Sequence, residues 1–292
     1  MKTTFLLCLI SLSTFAQVSH GRLEHIEDFK SQHVSTRHID IWLPDGYGAD
    51  PKKKYPVLYM HDGQNLFQAS SSFNGQEWGI DETLHGLMHK KEIKECIVVG
   101  IWNSGKRFAE YFPAKAYPFL SEEAKQKFTK VSGEPLSDEY LKFIVTELKP
   151  YIDKTYHTHA DRDHTYMAGS SMGGLISLYA ILEYPQVFSK VACLSTHWIG
   201  TLDLRQTEVP MVLEKYVKEH LPKFNHTYIY FDYGTAGLDA LYEKHQKVVD
   251  QIMEERGYPK EHWITKKFEG ADHHEADWRK RFDTPAKFLL KH

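Results

Sequence analysis

The sequence has no excess of positive or negative charge, and it has no long apolar run after its first residues. Its 292 residues include 36 Lys and Arg against 39 Asp and Glu, a formal net charge of −3. Because no basic cluster is present either, we expect no nucleic-acid partner. No internal repeat, low-complexity tract or linker divides the chain. What remains is 41% hydrophobic residues, enough for one sizeable core.

The N-terminus is the one place with a continuous apolar stretch. Lys2 is followed by an apolar core over residues 5–12 and by a small-residue cleavage site that ends at Ala16. This pattern is typical of a secretory signal peptide and is too short for a permanent membrane span. We therefore expect residues 1–16 to be removed and residues 17–292 to form a single secreted or periplasmic domain with no membrane attachment.

Cysteine is scarce, with three residues in the chain. Cys8 lies in the predicted signal peptide, and Cys96 and Cys193 each lie within an apolar run. Export permits a disulfide, but cysteines deep in separate strands more often pack as small apolar side chains, so we favour free thiols. No C-x-x-C pair suggests metal or redox chemistry.

Apolar runs alternate with segments of helical periodicity along the chain. The runs predict strands over residues 33–43, 55–60, 96–102, 165–167, 190–194, 227–233 and 263–268. Helices are predicted over 78–89, 137–152, 175–184, 240–256 and 279–290, with a long polar and aromatic loop over 103–136. This alternation predicts an α/β fold, a mostly parallel sheet with helices on both faces. Ligands of such sheets bind at the carboxyl ends of the strands.

One of these strand ends carries the pattern Gly169-x-Ser171-x-Gly173. A serine on a sharp strand-to-helix turn is exposed as a nucleophile, and the flanking glycines avoid collisions across the turn. The alternative is an ordinary Gly/Ser helix N-cap. Ser170 is the weaker candidate because Met172 stands two residues after it, where a small residue is required.

A serine nucleophile needs a histidine to take its proton and a carboxylate to orient that histidine. On this architecture the order along the chain is serine, acid, histidine. Asp239, after the strand ending at 233, is the preferred acid, and Asp232 within that strand is the rival. His273, after the strand ending at 268, is the preferred base, with His274 beside it.

When the serine attacks, the substrate oxygen becomes negatively charged and needs hydrogen-bond donors, which together form an oxyanion hole. We expect these donors to be the backbone N–H groups of Met172 and of Gln64 in the loop after residue 60. Gly63 would allow the second backbone segment to come close, and a plain turn at Asp62-Gly63 is the less favoured alternative. The Met172 group is offered by the N-terminus of the helix that follows the serine.

Substrate contacts are expected from the long polar loop and from an aromatic residue after the strand ending at 194. The candidates are Asn103, Arg107 and Trp198, which suit a hydroxyl-rich ligand. Arg107 could instead form an internal ion pair with Glu110.

Together these pieces resemble the putative-esterase branch of the α/β-hydrolases, whose relatives include esterase D and siderophore, feruloyl and acetyl-xylan esterases. The matching segments are YPVLYMHDGQNLF, NSGKR-x-x-EYFP, AGSSMGG, GTAGLD and GADHHEADW, within residues 33–288. The resemblance implies the α/β-hydrolase fold, the triad Ser171, Asp239 and His273, and an oxyanion hole at Gln64 and Met172. The acid loop is longer than the short G-T-x-D form of some relatives, which leaves the acid open.

The resemblance also implies a serine carboxylic-ester hydrolase without a cofactor, acting on small-molecule or glycan esters such as acylated carbohydrates. A siderophore trilactone esterase and an acyltransferase of the same family are the alternatives. A zinc hydrolase is a different possibility, since His157-x-His159-x-Asp161 resembles the start of a metal site, but Arg162 stands where the last histidine is required. A non-catalytic carbohydrate-binding relative is a third.

Overall fold

The computed structural model describes residues 18–222 and 226–291, together with the backbone of residues 14–16. Within this part, nine strands form one sheet in the order β1-β2-β3-β5-β4-β6-β7-β8-β9. They are β1 (Thr14–Ala16), β2 (Arg22–Phe29), β3 (Arg37–Leu43), β4 (Val57–His61), β5 (Ile97–Ile101), β6 (Thr165–Ser170), β7 (Lys190–Leu194), β8 (Tyr228–Gly234) and β9 (Trp263–Phe268).

The strand directions divide this sheet into two parts. β4 to β9 run parallel to their neighbours, whereas β1, β2 and β3 pair antiparallel with one another and β3 pairs antiparallel with β5. All the parallel strands therefore end at the same edge, where α/β enzymes bind their ligands.

The helices are α1 (Ile80–His89), α2 (Arg107–Tyr111), α3 (Glu122–Ser132), α4 (Ser137–Phe143), α5 (Lys149–Thr155), α6 (Met172–Glu183), α7 (Glu208–His220), α8 (Glu243–Glu255), α9 (Glu275–Arg281) and α10 (Asp283–Leu290). A π-helical segment, Ile144–Leu148, joins α4 to α5. No described helix is both long and apolar enough to cross a bilayer.

Both faces of the sheet are buried, which explains why its central strands are apolar throughout. Along β4, Val57 and Tyr59 pack into a core beneath α4 to α8, whereas Leu58 and Met60 pack into a second core beneath α1, α9 and α10. Successive strand side chains point to opposite faces, so a strand covered on both sides has no polar positions to alternate with. The predicted α/β fold with helices on both faces is confirmed.

Several elements were missed by the pattern. The predicted loop over 103–136 contains α2 and α3, and the unassigned stretch after residue 200 contains α7. The strand β2 was also missed, because its charged sequence RLEHIEDF is only partly buried. Both cysteines outside the N-terminal segment, Cys96 and Cys193, are free and fully buried, and burial raises the pKa of both thiols.

The predicted signal peptide lies almost wholly outside the described residues. Its last three residues form β1, which pairs with β2 at the edge of the sheet. Its removal stays a prediction.

Candidate active site

The sharp turn after β6 has the backbone that a nucleophile elbow requires. Ser171 has φ 59° and ψ −125°, which L-residues rarely adopt, and α6 begins at the next residue. A Cβ placed on Gly169 would lie 2.7 Å from the carbonyl carbon and oxygen of Gly173. Any larger residue would therefore push the strand away from the helix. Ser170, the weaker candidate, is the buried last residue of β6.

The residues that follow β8 and β9 bring a carboxylate against an imidazole. Oδ1 of Asp239 lies 2.6 Å from Nδ1 of His273. Because a carboxylate can only accept, Nδ1 carries the proton, and Nε2 is left as the basic nitrogen of the ring. Asp239 is completely buried, whereas the His273 side chain is 14% exposed. The pair therefore offers one accessible base oriented by one inaccessible acid.

The two loops that carry this pair are bound to each other. The carbonyl oxygen of Ala271 accepts the N–H groups of Thr235 and Ala236, each at 3.0 Å. Gly234 cannot carry a side chain, because a Cβ there would lie 2.1 Å from the backbone oxygen of Ala271. Gly237 has φ 49°, which favours glycine. The longer acid loop is thus packed tightly enough to present its carboxylate.

The second oxygen of Asp239 accepts hydrogen bonds from two neutral donors, and the charged Nη2 of Arg281 lies 3.6 Å from it. Gly234 donates its N–H to Oδ2 at 2.7 Å, and the Ser195 hydroxyl donates at 2.5 Å. Burial opposes ionisation of Asp239, but the hydrogen bonds and charge of His273 and these two donors outweigh it and lower the pKa of the carboxyl group. The acid is therefore held in its charged form.

The pattern of the sequence did not identify the role of Ser195. Its hydroxyl oxygen also accepts the indole N–H of Trp278 at 3.0 Å and Nη2 of Arg281 at 2.7 Å. Ser195 directly follows β7, whereas both of these partners lie on α9, which is distant in sequence. The only signal was that Ser195 follows a strand end and that Trp278 closes the segment GADHHEADW.

The rival acid Asp232 does not contact His273. It is buried and accepts Nη2 of Arg281 at 2.9 Å and the Tyr230 hydroxyl at 3.1 Å. Burial raises the pKa of Asp232 more than these partners lower it. His274 is also otherwise engaged, since its Nδ1 caps α9 by accepting the N–H of Ala276 at 3.2 Å.

The loop after β4 borders the elbow and carries Gln64, the predicted second oxyanion donor. Gly63 packs on β5 so closely that a Cβ would lie 2.5 Å from the carbonyl carbon of Gly100. Gln64 follows it in a short 3-10 turn, and its side-chain oxygen accepts the N–H of Asn103 at 3.3 Å. Met172 is the first residue of α6, where backbone N–H groups have no partner within the helix.

Beside this loop, Arg107 forms a two-pronged ion pair with Asp62. Its Nε and Nη2 lie 2.7 and 2.6 Å from the two carboxylate oxygens, and Asn103 donates to Oδ1 at 2.7 Å. Oδ2 of Asp62 would be 3.3 Å from a Cβ on Gly173, so this group borders the elbow. Burial opposes ionisation of Asp62, but Arg107 and Asn103 lower its pKa.

Two expectations about the substrate residues are wrong. Arg107 does not pair with Glu110, which instead accepts both Nη groups of the buried Arg37 at 2.7 and 3.1 Å. Trp198 is fully buried and donates its indole N–H to Gln246 at 3.1 Å, so it offers a ligand no surface. In the loop after β7, the residue that lies near the elbow is the neighbouring His197.

His197 lies between the elbow and the imidazole. Its N–H donates to the Ser171 carbonyl at 3.1 Å, and its ring centroid is 6.4 Å from that of His273. Nε2 donates to the Thr201 carbonyl at 2.9 Å and Nδ1 accepts the Tyr242 hydroxyl at 2.6 Å. Burial lowers the pKa of His197 to about 4, so this ring is neutral and structural.

The zinc-like segment lies at the opposite edge of the sheet. His164 directly precedes β6, whereas Ser171 directly follows it, so the strand separates the two. The cluster that forms there is His159, Asp161 and His164, without His157. It cannot act on a substrate bound at the elbow.

Comparison with known proteins places the fold in a family. The chain is 29% identical over 170 residues to the "Uncharacterized protein YbbA" of Bacillus subtilis (58% of this chain, 60% of that protein). It is 28% identical over 181 residues to an "Endo-1,4-beta-xylanase/feruloyl esterase" of Xylanibacter ruminicola (61% and 22%). The chain thus spans less than two thirds of the length of either relative.

The structure is also similar to the enterobactin esterase FES of Shigella flexneri. The TM-score is 0.67 at 20% identity, over 91% of this chain and 59% of that one. This likeness shows the shared α/β-hydrolase fold. The family model described as "Putative esterase" matches residues 32–289, nearly the whole described chain. The chain therefore belongs to the putative esterase family of α/β-hydrolases.

Proposed function

We propose that the protein hydrolyses carboxylic esters through an acyl-enzyme on Ser171. The observation that carries this proposal is the hydrogen bond between Asp239 and His273, which follow carboxyl ends of parallel strands at the same edge of the sheet as the positive-φ Ser171. A serine hydroxyl is a weak nucleophile unless a base takes its proton, and an imidazole oriented by a buried carboxylate is such a base. Membership of the esterase family supports the same chemistry.

In this mechanism, Nε2 of His273 takes the proton of Ser171 as the oxygen attacks the ester carbonyl. The negative charge that develops on the carbonyl oxygen is stabilised by the N–H groups of Met172 and Gln64. The protonated imidazole then gives its proton to the leaving alcohol, and the acyl group stays on the serine. Water, deprotonated by the same imidazole, releases the acid and restores the hydroxyl. Asp239 stabilises the imidazolium in both halves.

For the alcohol, we propose the hydroxyl-rich part of an acylated carbohydrate. Arg107 and Asn103 stand at the elbow, and the Arg107 side chain is 25% exposed although it is paired with Asp62. Phe73 adds an aromatic surface that is 89% exposed. Its loop is attached to the site, because its N–H donates to Asn65 at 3.0 Å. Aromatic rings with polar neighbours suit sugars and phenolic acids.

The relatives support two substrate classes. The name of the Xylanibacter relative includes feruloyl esterase activity, which favours plant-glycan esters. The enterobactin esterase of similar fold keeps a siderophore trilactone as the second candidate. An acyltransferase would share the acyl-enzyme and differ in the acceptor. In keeping with an extracellular substrate, we propose that residues 1–16 direct export.

The test is hydrolysis of nitrophenyl acetate, feruloyl and acetylated-xylan esters by the wild type, Ser171→Ala and the neighbouring control Ser170→Ala. We expect Ser171→Ala to fold normally and to lose turnover and fluorophosphonate labelling, whereas the control keeps both. Labelling of Ser171→Ala, or its near-normal turnover, would refute the assignment. A product transferred to an added sugar acceptor in place of free acid would favour the acyltransferase.

A further inference from the structure

Two clusters of two histidines and one aspartate lie in the described part of the chain, away from the proposed active site. They are His20, Asp45 and His85, and His159, Asp161 and His164, and within each the candidate ligand atoms lie within 4.8 Å of one another. We propose that the first cluster binds a divalent late transition-metal ion such as Zn²⁺. The bound ion would fasten the N-terminal segment to the body of the protein.

The first cluster joins three separate parts of the chain. Asp45 follows β3, His85 lies on α1, and His20 precedes β2. Oδ2 of Asp45 lies 2.9 Å from Nδ1 of His85, and the rings of His20 and His85 stack with centroids 3.8 Å apart. The backbone is held as well, because Gly21 donates to Asp45 at 3.1 Å and Trp42 donates to the His20 carbonyl at 2.7 Å.

These ligand types are those of zinc and its neighbours. Two imidazoles with one carboxylate favour Zn²⁺, Co²⁺ or Ni²⁺ over Mg²⁺ or Ca²⁺, which prefer oxygen. Tetrahedral bonds of about 2.0–2.1 Å place ligand atoms roughly 3.3 Å apart. The ligand atoms must therefore move closer, and the two stacked rings must tilt so that both ring planes meet at the ion. Exposure permits such a movement, since the side chains of His85 and Asp45 are 31% and 61% exposed. Water can supply the remaining position.

The surrounding charge favours the first cluster over the second. Beside His20, Asp81 accepts the N–H of Ser19 at 2.9 Å, and Glu82 accepts the Ser19 hydroxyl at 3.2 Å, although Glu82 also pairs with Arg279. His159 and His164 instead share a cavity with four lysines and a single carboxylate: Lys53, Lys54, Lys91, Lys94 and Glu95. Added positive charge is therefore repelled more strongly there.

The position of the first cluster indicates a structural role. β3 is antiparallel to β5, so Asp45 lies at the edge where the parallel strands begin, opposite the edge that carries Ser171. A metal ion bound only by the folded state raises stability by mass action. It would not enter the ester chemistry.

The experiment is calorimetric titration of the tag-free full chain with ZnCl₂ after chelator treatment. We compare the wild type with His20→Ala, His85→Ala and the matched control His159→Ala from the second cluster. We expect the wild type to show one saturable zinc site. The zinc affinity should fall at least about tenfold in both first-cluster variants, a loss typical of metal sites from which a supporting residue is removed, and it should be unchanged in the control. Zinc should also raise the Tm of the wild type and the control, but not of His85→Ala, without changing ester hydrolysis.

Asp45→Asn serves as an exposed replacement should a histidine variant fail to fold, and it should weaken binding likewise. The absence of saturable zinc binding would overturn the proposal. Binding that survives in all three first-cluster variants, or that is lost in His159→Ala, would overturn it as well.

Discussion

Ser195 occupies the centre of the buried polar group behind the proposed triad, and its replacement by alanine tests that arrangement. The hydroxyl donates to Asp239 and accepts from Trp278 and Arg281. Ser195→Ala leaves the Asp239 carboxylate with His273, the Gly234 N–H and the more distant Nη2 of Arg281, 3.6 Å from Oδ2. It also leaves the buried indole N–H without its acceptor, whereas Arg281 keeps Asp232.

The magnitude follows from these partners. A hydrogen bond to a charged group contributes about 1.5–3 kcal/mol, and an unsatisfied buried donor costs about 1–3 kcal/mol. Because the two losses occur at one site, and because Nη2 of Arg281 remains 3.6 Å from Oδ2 of Asp239, we expect about 2–4 kcal/mol of destabilisation at pH 7 rather than their full sum. A second buried serine, Ser177, donates only to the Gly173 carbonyl of its own helix at 2.7 Å. Ser177→Ala should therefore cost about 1 kcal/mol.

The pH dependence separates loss of the carboxylate contact from simple loss of packing. The pKa of Asp239 is lowered in the folded state. Its ionisation therefore stabilises the folded protein at pH values above the ordinary pKa near 3.8, and this contribution is lost as the pH falls through the pKa of the folded state. Ser195→Ala raises that folded pKa towards its ordinary value. The stability gap to the wild type should thus be largest at neutral pH and should narrow below about pH 4.

The assay is urea denaturation at several pH values between 3 and 7, with kcat measured at each pH where the protein is folded. We expect kcat to fall while KM is unchanged, because the imidazole is less firmly oriented. A Ser195→Ala protein no less stable than Ser177→Ala, or a gap independent of pH, would refute this reasoning.

Other predictions concern the rest of the site. Arg107→Met should lower the free energy of unfolding by about 2–4 kcal/mol, because the buried Asp62 loses its charged partner. An unchanged denaturation midpoint would contradict a stabilising role for this ion pair. Stability should decline as pH falls from about 6.5 towards 4, because His197, with a pKa of about 4, takes up its proton only on unfolding. His197→Gln should reduce the dependence of stability on pH without abolishing it, since burial also lowers the pKa of His61 to about 3. A variant with the same pH dependence as the wild type would contradict the contribution of His197. Phe73→Ala should raise KM for feruloyl or sugar esters severalfold with kcat unchanged; an unaltered KM would exclude the ring from the substrate site.

Local chemistry made the elbow and the buried parallel strands predictable. The glycines around Ser171 are needed by the turn itself, and continuous apolar runs such as Val57–His61 are required of any strand buried on both faces. Once the parallel strands were recognised, their shared edge brought Asp239 and His273 into consideration without further information. The roles of these residues and of the oxyanion donors stay predictions.

Elements and contacts that depend on distant partners were not predictable. α2 has only five residues, and α3 buries only Ala124 and Phe128 of its 11 residues, so neither presents enough apolar positions to stand out within a polar stretch. α7 contains Pro210 in its first turn. Helices tolerate proline in this position, but proline within a sequence usually indicates a loop.

The sequence by itself determined the class of fold, the sharp turn at Ser171 and the set of candidate groups, because each depends on neighbours within a few residues. Only the tertiary structure decided that Arg107 pairs with Asp62, that Trp198 is buried, and that Ser195 joins the acid to α9. Those choices are made between side chains tens of residues apart, and they are set by which polar groups must be paired once the surrounding core excludes water.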